Sequence, residues 1–300
     1  MIYTVTLNPC LDYVIGTKEL KTGELNRTSF EEIYVGGKGI NVSLILKELG
    51  YESVALGFVA GFVGDAIEKY LEESGIKTDF VRLLEGNSRI NVKIKSGVET
   101  EINARGPHIS AEEKDAFLNK LDMLSEGDYL VISGSVPPSL PDDIYETILK
   151  RVENKGVKAV VDASGALLEK SLKYRPFLIK PNNVELGELF GADIKTAQDA
   201  EPYARRLKEK GAENVLVSLG GEGALLIDVN DKVYQMPAFD GVRVNTVGAG
   251  DSMVAGFIAG IISGDSERAL RLGCACGGAT AFLPGLAKKK DIEKLFGKLN

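Results

Sequence analysis

The densest chemistry in the chain lies in Asn245-Thr246-Val247-Gly248-Ala249-Gly250-Asp251-Ser252-Met253-Val254-Ala255-Gly256-Phe257. Gly248 and Gly250 let the backbone turn tightly and approach a ligand closely. Apolar spacing from Met253 onward predicts a helix, so residues 248–251 fall in its first turn. Free N–H groups and the positive end of the helix dipole favour an anion there. Asp251 then has two readings: a helix N-cap, or a general base beside a phosphate cradle. The small residues ahead of it leave room for a ligand, which favours the base.

Three further loops carry donors or carboxylates. Gly36-Gly37-Lys38-Gly39-Ile40-Asn41 offers Lys38 and Asn41 from a glycine cluster ahead of a predicted helix. It reads equally as a flexible turn with a solvated lysine. Lys180-Pro181-Asn182-Asn183-Val184-Glu185 follows a predicted strand, and Asn182 and Glu185 have capping-box spacing. The same pair can order water around a magnesium ion bound to nucleotide phosphates. Ser218-Leu219-Gly220-Gly221-Glu222-Gly223 reads as a turn into a hairpin or as a wall against a nucleotide. The chain has no Gly-x-x-x-x-Gly-Lys-Ser/Thr, so it is not a P-loop protein. No Gly-x-Gly-x-x-Gly follows a strand, which argues against a dinucleotide oxidoreductase.

The elements that must hold these loops alternate. Short β-branched runs at 2–7, 53–58, 129–133, 158–162, 177–180 and 214–218 predict strands. Helical spacing covers 39–49, 65–74, 111–125, 141–154, 185–190 and 197–210, then 250–264, 266–282 and 291–298. Such alternation predicts an α/β fold with a parallel sheet covered by helices on both faces, and ligands beyond the strands' carboxyl ends. Residues 88–95 and 99–104 read as strands joined at Ser96-Gly97, and 11–35 is β-like. The expectation is a single domain over 1–300, with a lid sheet from segments near 11–35 and 88–105.

Bulk properties narrow the class. The net charge of −7 disfavours nucleic-acid binding, although a small anion can bind where a few cations converge. Cys10, Cys274 and Cys276 make a poor disulfide framework, and one histidine, His108, makes a zinc site improbable. The first residues read as a strand rather than a signal peptide. The apolar run 253–263 is too short to cross a bilayer, so a cytoplasmic location without membrane contact is expected.

Several segments, taken in order, carry a family resemblance. They are Thr6-Leu7-Asn8-Pro9-Cys10-Leu11-Asp12, residues 36–41, Ser88-Arg89-Ile90-Asn91-Val92-Lys93-Ile94, Ser133-Gly134-Ser135-Val136-Pro137-Pro138, and residues 180–185 and 247–256. Together they resemble the ribokinase-like, or PfkB, carbohydrate kinases over nearly the whole chain. The Gly-Ala-Gly-Asp segment is specific to that superfamily, and Leu7-Asn8-Pro9 looks like its hexose-phosphate branch. Cys10 stands where alanine is frequent. The resemblance implies a three-layer α/β/α sandwich with a mostly parallel sheet, a small β-sheet lid, and a homodimer formed through the lids.

It also implies roles. Asp251 would be the base, and the backbone of Gly248, Ala249, Gly250 and Asp251 an anion hole. Asp12, Gly37, Lys38, Asn41, Arg89 and Asn103 would face a sugar phosphate. Lys180, Asn182 and Glu185 would lie near phosphate and magnesium, the last two through water. Ser218, Gly220, Gly221, Gly223 and Gly250 would border ATP. The implied reaction uses ATP and Mg²⁺ to phosphorylate the C6 hydroxyl of fructose 1-phosphate; tagatose 6-phosphate and fructose 6-phosphate are alternative acceptors. A non-catalytic sugar-phosphate or nucleotide sensor is the reading from another class. Loss of the base or glycines would mark it, and Gly248, Gly250 and Asp251 are all present.

Overall fold

The computed structural model describes residues 1–299. In chain order the strands are β1 (Ile2–Thr6), β2 (Cys10–Gly16), β3 (Phe30–Gly36), β4 (Ser53–Ala60), β5 (Lys77–Thr78), β6 (Val81–Leu83), β7 (Arg89–Ser96), β8 (Val98–Ile102), β9 (Tyr129–Ser133), β10 (Lys158–Asp162), β11 (Leu178–Ile179), β12 (Asn214–Ser218), β13 (Ala224–Ile227) and β14 (Val233–Met236). The α-helices are α1 (Lys38–Glu48), α2 (Gly61–Glu73), α3 (Ala111–Lys120), α4 (Ile144–Val152), α5 (Gly165–Ser171), α6 (Asn183–Phe190), α7 (Ala197–Glu209), α8 (Ala249–Ser263), α9 (Ser266–Ala281) and α10 (Lys289–Phe296).

A 10-stranded sheet runs β14-β13-β12-β11-β10-β9-β1-β4-β5, with β6 also paired to β4. From β12 to β5 every pairing is parallel, and only the β13–β14 end is antiparallel. β9 is buried along its whole length, as a strand covered on both faces must be. Alternate residues feed two different cores. Tyr3, Val5, Leu56 and Phe58 pack with Phe117 of α3, Ile148 of α4, Leu186 of α6 and Leu207 of α7. Ile2, Val131 and Val160 pack with Val42 of α1, Phe257 of α8 and Ala275 of α9. The α2 residues Val63, Ile67 and Leu71 cover Ala55 and Val59 on the α1 side. The result is the three-layer α/β/α sandwich expected from sequence. Each fully buried Leu, Ile or Phe contributes roughly 1.5–3 kcal/mol.

A second, four-stranded sheet has the order β3-β2-β7-β8. β2 pairs antiparallel with β3 and parallel with β7, so Asp12 stands opposite Tyr34 and Asn91. Several elements are shorter than their sequence patterns. Helix α3 stops at Lys120 and passes into a 3₁₀ turn; helix α4 starts only at Ile144; β8 ends at Ile102. The β13–β14 hairpin and α5 are added to the elements expected from sequence. All three cysteines are buried and free. No helix among the described residues is long and apolar enough to cross a membrane.

Candidate active site

The carboxyl ends of β1, β9, β10 and β12 open on a cavity of about 1650 Å³, lined on its other side by β2 and β7. Every residue singled out from sequence lines it. Asp251 is there with Gly248, Ala249 and Gly250; so are Asp12, Gly37, Lys38, Asn41, Arg89 and Asn103. Lys180, Asn182, Glu185, Ser218, Gly220, Gly221 and Gly223 complete the set.

The start of α8 is built around Gly248. This residue is the N-cap, with φ 79°, a left-handed conformation that favours glycine. No side chain caps the helix, and Ser252 N–H donates to the Gly248 carbonyl at 2.8 Å. Asp251 is therefore not the cap; it sits in the first turn with its carboxyl turned to the cavity. The Ala249 N–H donates to the Thr246 carbonyl at 3.2 Å. Among the described residues nothing accepts from the Gly250 or Asp251 N–H, so these two are the amides free to meet an anion.

The Asp251 carboxyl is held from α1. A Cβ on Gly39 would stand 2.6 Å from the Val5 carbonyl oxygen, so only a glycine lets α1 lie this close to β1. Thr6 Oγ1 accepts the Ile40 N–H at 3.1 Å and fixes the helix start. Asn41, one residue on, then donates from Nδ2 to Asp251 Oδ2 at 2.7 Å. Asn41 is thus engaged with the carboxyl as well as lining the cavity. Asp251 is 4% exposed. Burial, then the charge of Asp162, push its pKa up to about 6, against the pull of Asn41, Lys38 and Lys180.

Asp162 was not among the residues marked by sequence. It ends β10, is 1% exposed, and lies between two lysines. Lys38 Nζ donates to its Oδ2 at 3.2 Å. Lys180 Nζ is 3.2 Å from its Oδ1, an ion pair without hydrogen-bond alignment. Burial works against the Asp162 charge, but Lys180 and Lys38 outweigh it, so its pKa is lowered. Burial likewise opposes the Lys38 charge, and Asp162 and Asp251 reverse it, raising that pKa. Lys180 also reaches α8, with Nζ 3.2 Å from where a Gly250 Cβ would stand. The available signal was positional: an acid as the last residue of a predicted parallel strand.

On β2 and β7, residues of one pleat face the cavity. Asp12 accepts from Asn91 Nδ2 at 2.8 Å and from the Cys10 thiol at 3.2 Å, and pairs with Lys93 at 3.4 Å. The Cys10 pKa is pushed up to about 12 by burial and by Asp12, so it stays a thiol. Arg89 Nε donates to the Asn8 carbonyl at 3.1 Å, which anchors the guanidinium at the cavity wall. Asn103 is exposed at the rim. Asn91 and Lys93 were missed as site residues, although the period-2 spacing Arg89, Asn91, Lys93 put them on one face.

At the other end, Asn182 and Glu185 form the capping box of α6. Asn182 Oδ1 accepts the Glu185 N–H at 2.8 Å, and Glu185 Oε2 accepts the Asn182 N–H at 2.8 Å. Glu185 Oε1 has no protein partner among the described residues, and both side chains line the cavity. A hydrated magnesium ion bound with phosphates fits such a donor set, because it retains water and needs few protein ligands. Ser218 and the glycine turn at 220–223 form the adjoining wall, and the Leu219 N–H donates to the Gly223 carbonyl at 2.8 Å.

Comparison with known proteins identifies the family. Residues 5–292 match the pfkB family of carbohydrate kinases. The chain is 48% identical over 296 residues to 1-phosphofructokinase of Bacillus subtilis strain 168, covering 98% of this chain and 97% of that one. It is 40% identical over 297 residues to D-tagatose-1-phosphate kinase of Bacillus licheniformis, covering 98% and 96%. The crystal structure of Escherichia coli phosphofructokinase-2 in complex with substrates and products superposes with a TM-score of 0.91. That pair is 28% identical and covers 99% of both chains.

Proposed function

The chain belongs to the pfkB family of carbohydrate kinases, and we propose that it phosphorylates the C6 hydroxyl of fructose 1-phosphate to give fructose 1,6-bisphosphate. It is an ATP-dependent sugar-phosphate kinase. The observation that carries phosphoryl transfer to a hydroxyl is the buried Asp251 carboxyl, oriented by Asn41 beside two unpaired amides and two lysines; the choice of fructose 1-phosphate follows the likeness to 1-phosphofructokinase.

A primary hydroxyl is a weak nucleophile. As its oxygen bonds the γ-phosphorus and the bond to ADP breaks, its proton passes to Asp251 Oδ. Such base assistance supplies roughly 10²–10⁴-fold. The Gly250 and Asp251 N–H groups face the oxygens of the moving phosphoryl group, and Lys180 adds a cation beside them. Arg89 and Lys93 are the cations on the far wall for the acceptor's own phosphate; the guanidinium suits a two-point grip. Asp12, fixed by Asn91, Lys93 and Cys10, is placed to accept sugar hydroxyls. Magnesium bound with the nucleotide would neutralise charge on its phosphates, with Asn182 and Glu185 holding it through water. Ser218 and the glycines at 220, 221 and 223 would border ATP.

The second sheet acts in this reading as a lid that excludes competing water. Its outer face carries Ile33, Ile90 and Ile102, all exposed, and we assign a homodimer contact to that face. A metabolic enzyme with three buried free thiols suits the cytoplasm.

A coupled ADP-release assay tests the acceptor. Fructose 1-phosphate should give the highest kcat/KM among fructose 1-phosphate, fructose 6-phosphate, tagatose 6-phosphate and tagatose 1-phosphate. The last is included because the Bacillus licheniformis relative is named for it. Preference for either 6-phosphate, or for tagatose 1-phosphate, would refute the assignment.

The base must be ionised to act. With the Asp251 pKa raised to about 6, kcat/KM should hold at neutral pH and fall about tenfold per unit below 6. A flat profile down to pH 5 in a stable enzyme would remove the carboxyl from the rate-determining step.

A further inference from the structure

We infer that Asp162 is a positioning residue for phosphoryl transfer: its buried carboxylate holds Lys38 and Lys180 off Asp251 and so keeps that base free. The inference rests on Asp251 acting as the base. A carboxylate that is 1% exposed is costly unless paired, and Asp162 has a lysine at 3.2 Å on each oxygen. Lys180 is 4% exposed, and its only carboxylate within ion-pair distance among the described residues is Asp162. Two ammonium groups this close to each other require an anion between them. Two buried acids are at hand, Asp162 and Asp251. The lysines are on Asp162, while Asp251 is bonded by the neutral Asn41 amide.

The division of partners has a chemical consequence. An Asp251 clasped by two ammonium groups would be a weak base, and the lysines would be turned from the Gly250 amide where the moving phosphoryl group must pass. With Asp162 present, Asp251 stays basic and Lys180 Nζ stays at the first turn of α8, 3.2 Å from the Gly250 Cβ position. The register supports a fixed arrangement. Asp162 lies opposite Ser133 at the ends of β10 and β9, where the sheet holds its backbone rigidly.

The groups facing Asp251 can be named. Asn41 and Lys38 come from α1, Asp162 from β10, and Lys180 from the loop before α6. Glu185 of α6 acts on Lys38, and Cys274 of α9 lines the cavity as a neutral thiol. Among them the Asp162 charge pushes the Asp251 pKa up more than either lysine pulls it down. Removing the Asp162 charge takes away the largest electrostatic push on the Asp251 carboxyl, so the pKa of Asp251 should fall.

The test is the pH profile of kcat/KM for the wild type, Asp162→Asn, and the double variant Asp162→Asn with Lys180→Met, with Asp251→Asn as control. The double variant removes one charge of each sign, so it should fold even if two unpaired buried lysines destabilise the single variant. Each folded variant should retain an acid limb displaced below that of the wild type, with a plateau lowered about 100-fold. A residue needed only for folding would lower the plateau and leave the limb in place. An unmoved limb in the folded variants, or a limb moved upward, overturns this inference alone. A wild-type profile with no acid limb, or Asp251→Asn with ordinary turnover, overturns the assignment of the base, and this inference with it.

Discussion

Replacing Asp251 with asparagine is expected to lower kcat by roughly 10²–10⁴-fold and, at neutral pH, to make the protein more stable. The two effects share one cause. Asparagine keeps the size of the side chain and an oxygen that can accept from Asn41 Nδ2, now at 2.7 Å from the carboxylate. It cannot take the hydroxyl proton. Binding of ATP and sugar phosphate, measured by calorimetry, should stay within a fewfold of wild type, since neither relies on that proton.

The stability gain follows from the raised pKa. Burial and Asp162 hold Asp251 at about 6, against 3.8 for an ordinary aspartate. Between those values the folded state binds a proton that the unfolded chain releases. The stabilisation is complete below about pH 4 and is lost as pH rises through 6. At pH 7.5 the wild type therefore carries the full cost of a buried charge, about 3 kcal/mol at ~1.4 kcal/mol per pKa unit. Asp251→Asn removes that cost, so its Tm should exceed the wild type's by several degrees at pH 7.5, with the gain shrinking toward pH 4. Turnover within threefold of wild type would remove Asp251 from the role of base. A Tm difference independent of pH would remove the buried-charge explanation.

The contrast between Asp251 and Asp162 shows what was legible before any coordinates. Asp251 follows two glycines at a helix start, a local arrangement visible within a dozen residues. The β9, β10 and β12 runs were legible for a similar reason: strands buried on both faces are short and β-branched, and their bounds matched. Asp162 has no local mark. Lys180 follows the next strand and Lys38 starts a helix near the beginning of the chain; the parallel pairing of β1, β9, β10 and β11, with α1 packed on β1, brings them to one point. The Asn41–Asp251 bond spans 210 residues, and no spacing announces it. Asn182 and Glu185 show the opposite limit. Capping box and water-mediated metal site use the same spacing; the box is formed, and the free Glu185 oxygen leaves the other role open to the same residues. The β13–β14 hairpin lacked a period long enough to separate short apolar strands from a helix segment, and α5 is only 7 residues long.

Gly248→Ala should damage both stability and turnover. At φ 79° an alanine is strained by roughly 1–2 kcal/mol. Its Cβ would also stand 2.6 Å from Leu286 Cδ2 and 3.5 Å from Asn41 Nδ2. Overlap of the first kind costs about 1–3 kcal/mol where the neighbour cannot retreat. The expected loss of stability is thus about 2–5 kcal/mol, read as a lower Tm. The catalytic effect is separate. Gly248 sets the direction of the Gly250 and Asp251 amides, and Asn41 sets the carboxyl, so one methyl group disturbs both the anion hole and the base. Loss of a single well-aimed donor costs ~10²–10³-fold in such sites, and kcat should fall by at least about 100-fold while the protein remains folded at low temperature. Adding Leu286→Ala would relieve the side-chain overlap but not the backbone strain. It should recover part of the Tm and little of the kcat, because the amide direction depends on φ. Recovery of wild-type turnover in that double variant would show that crowding, rather than the left-handed turn, governs the anion hole.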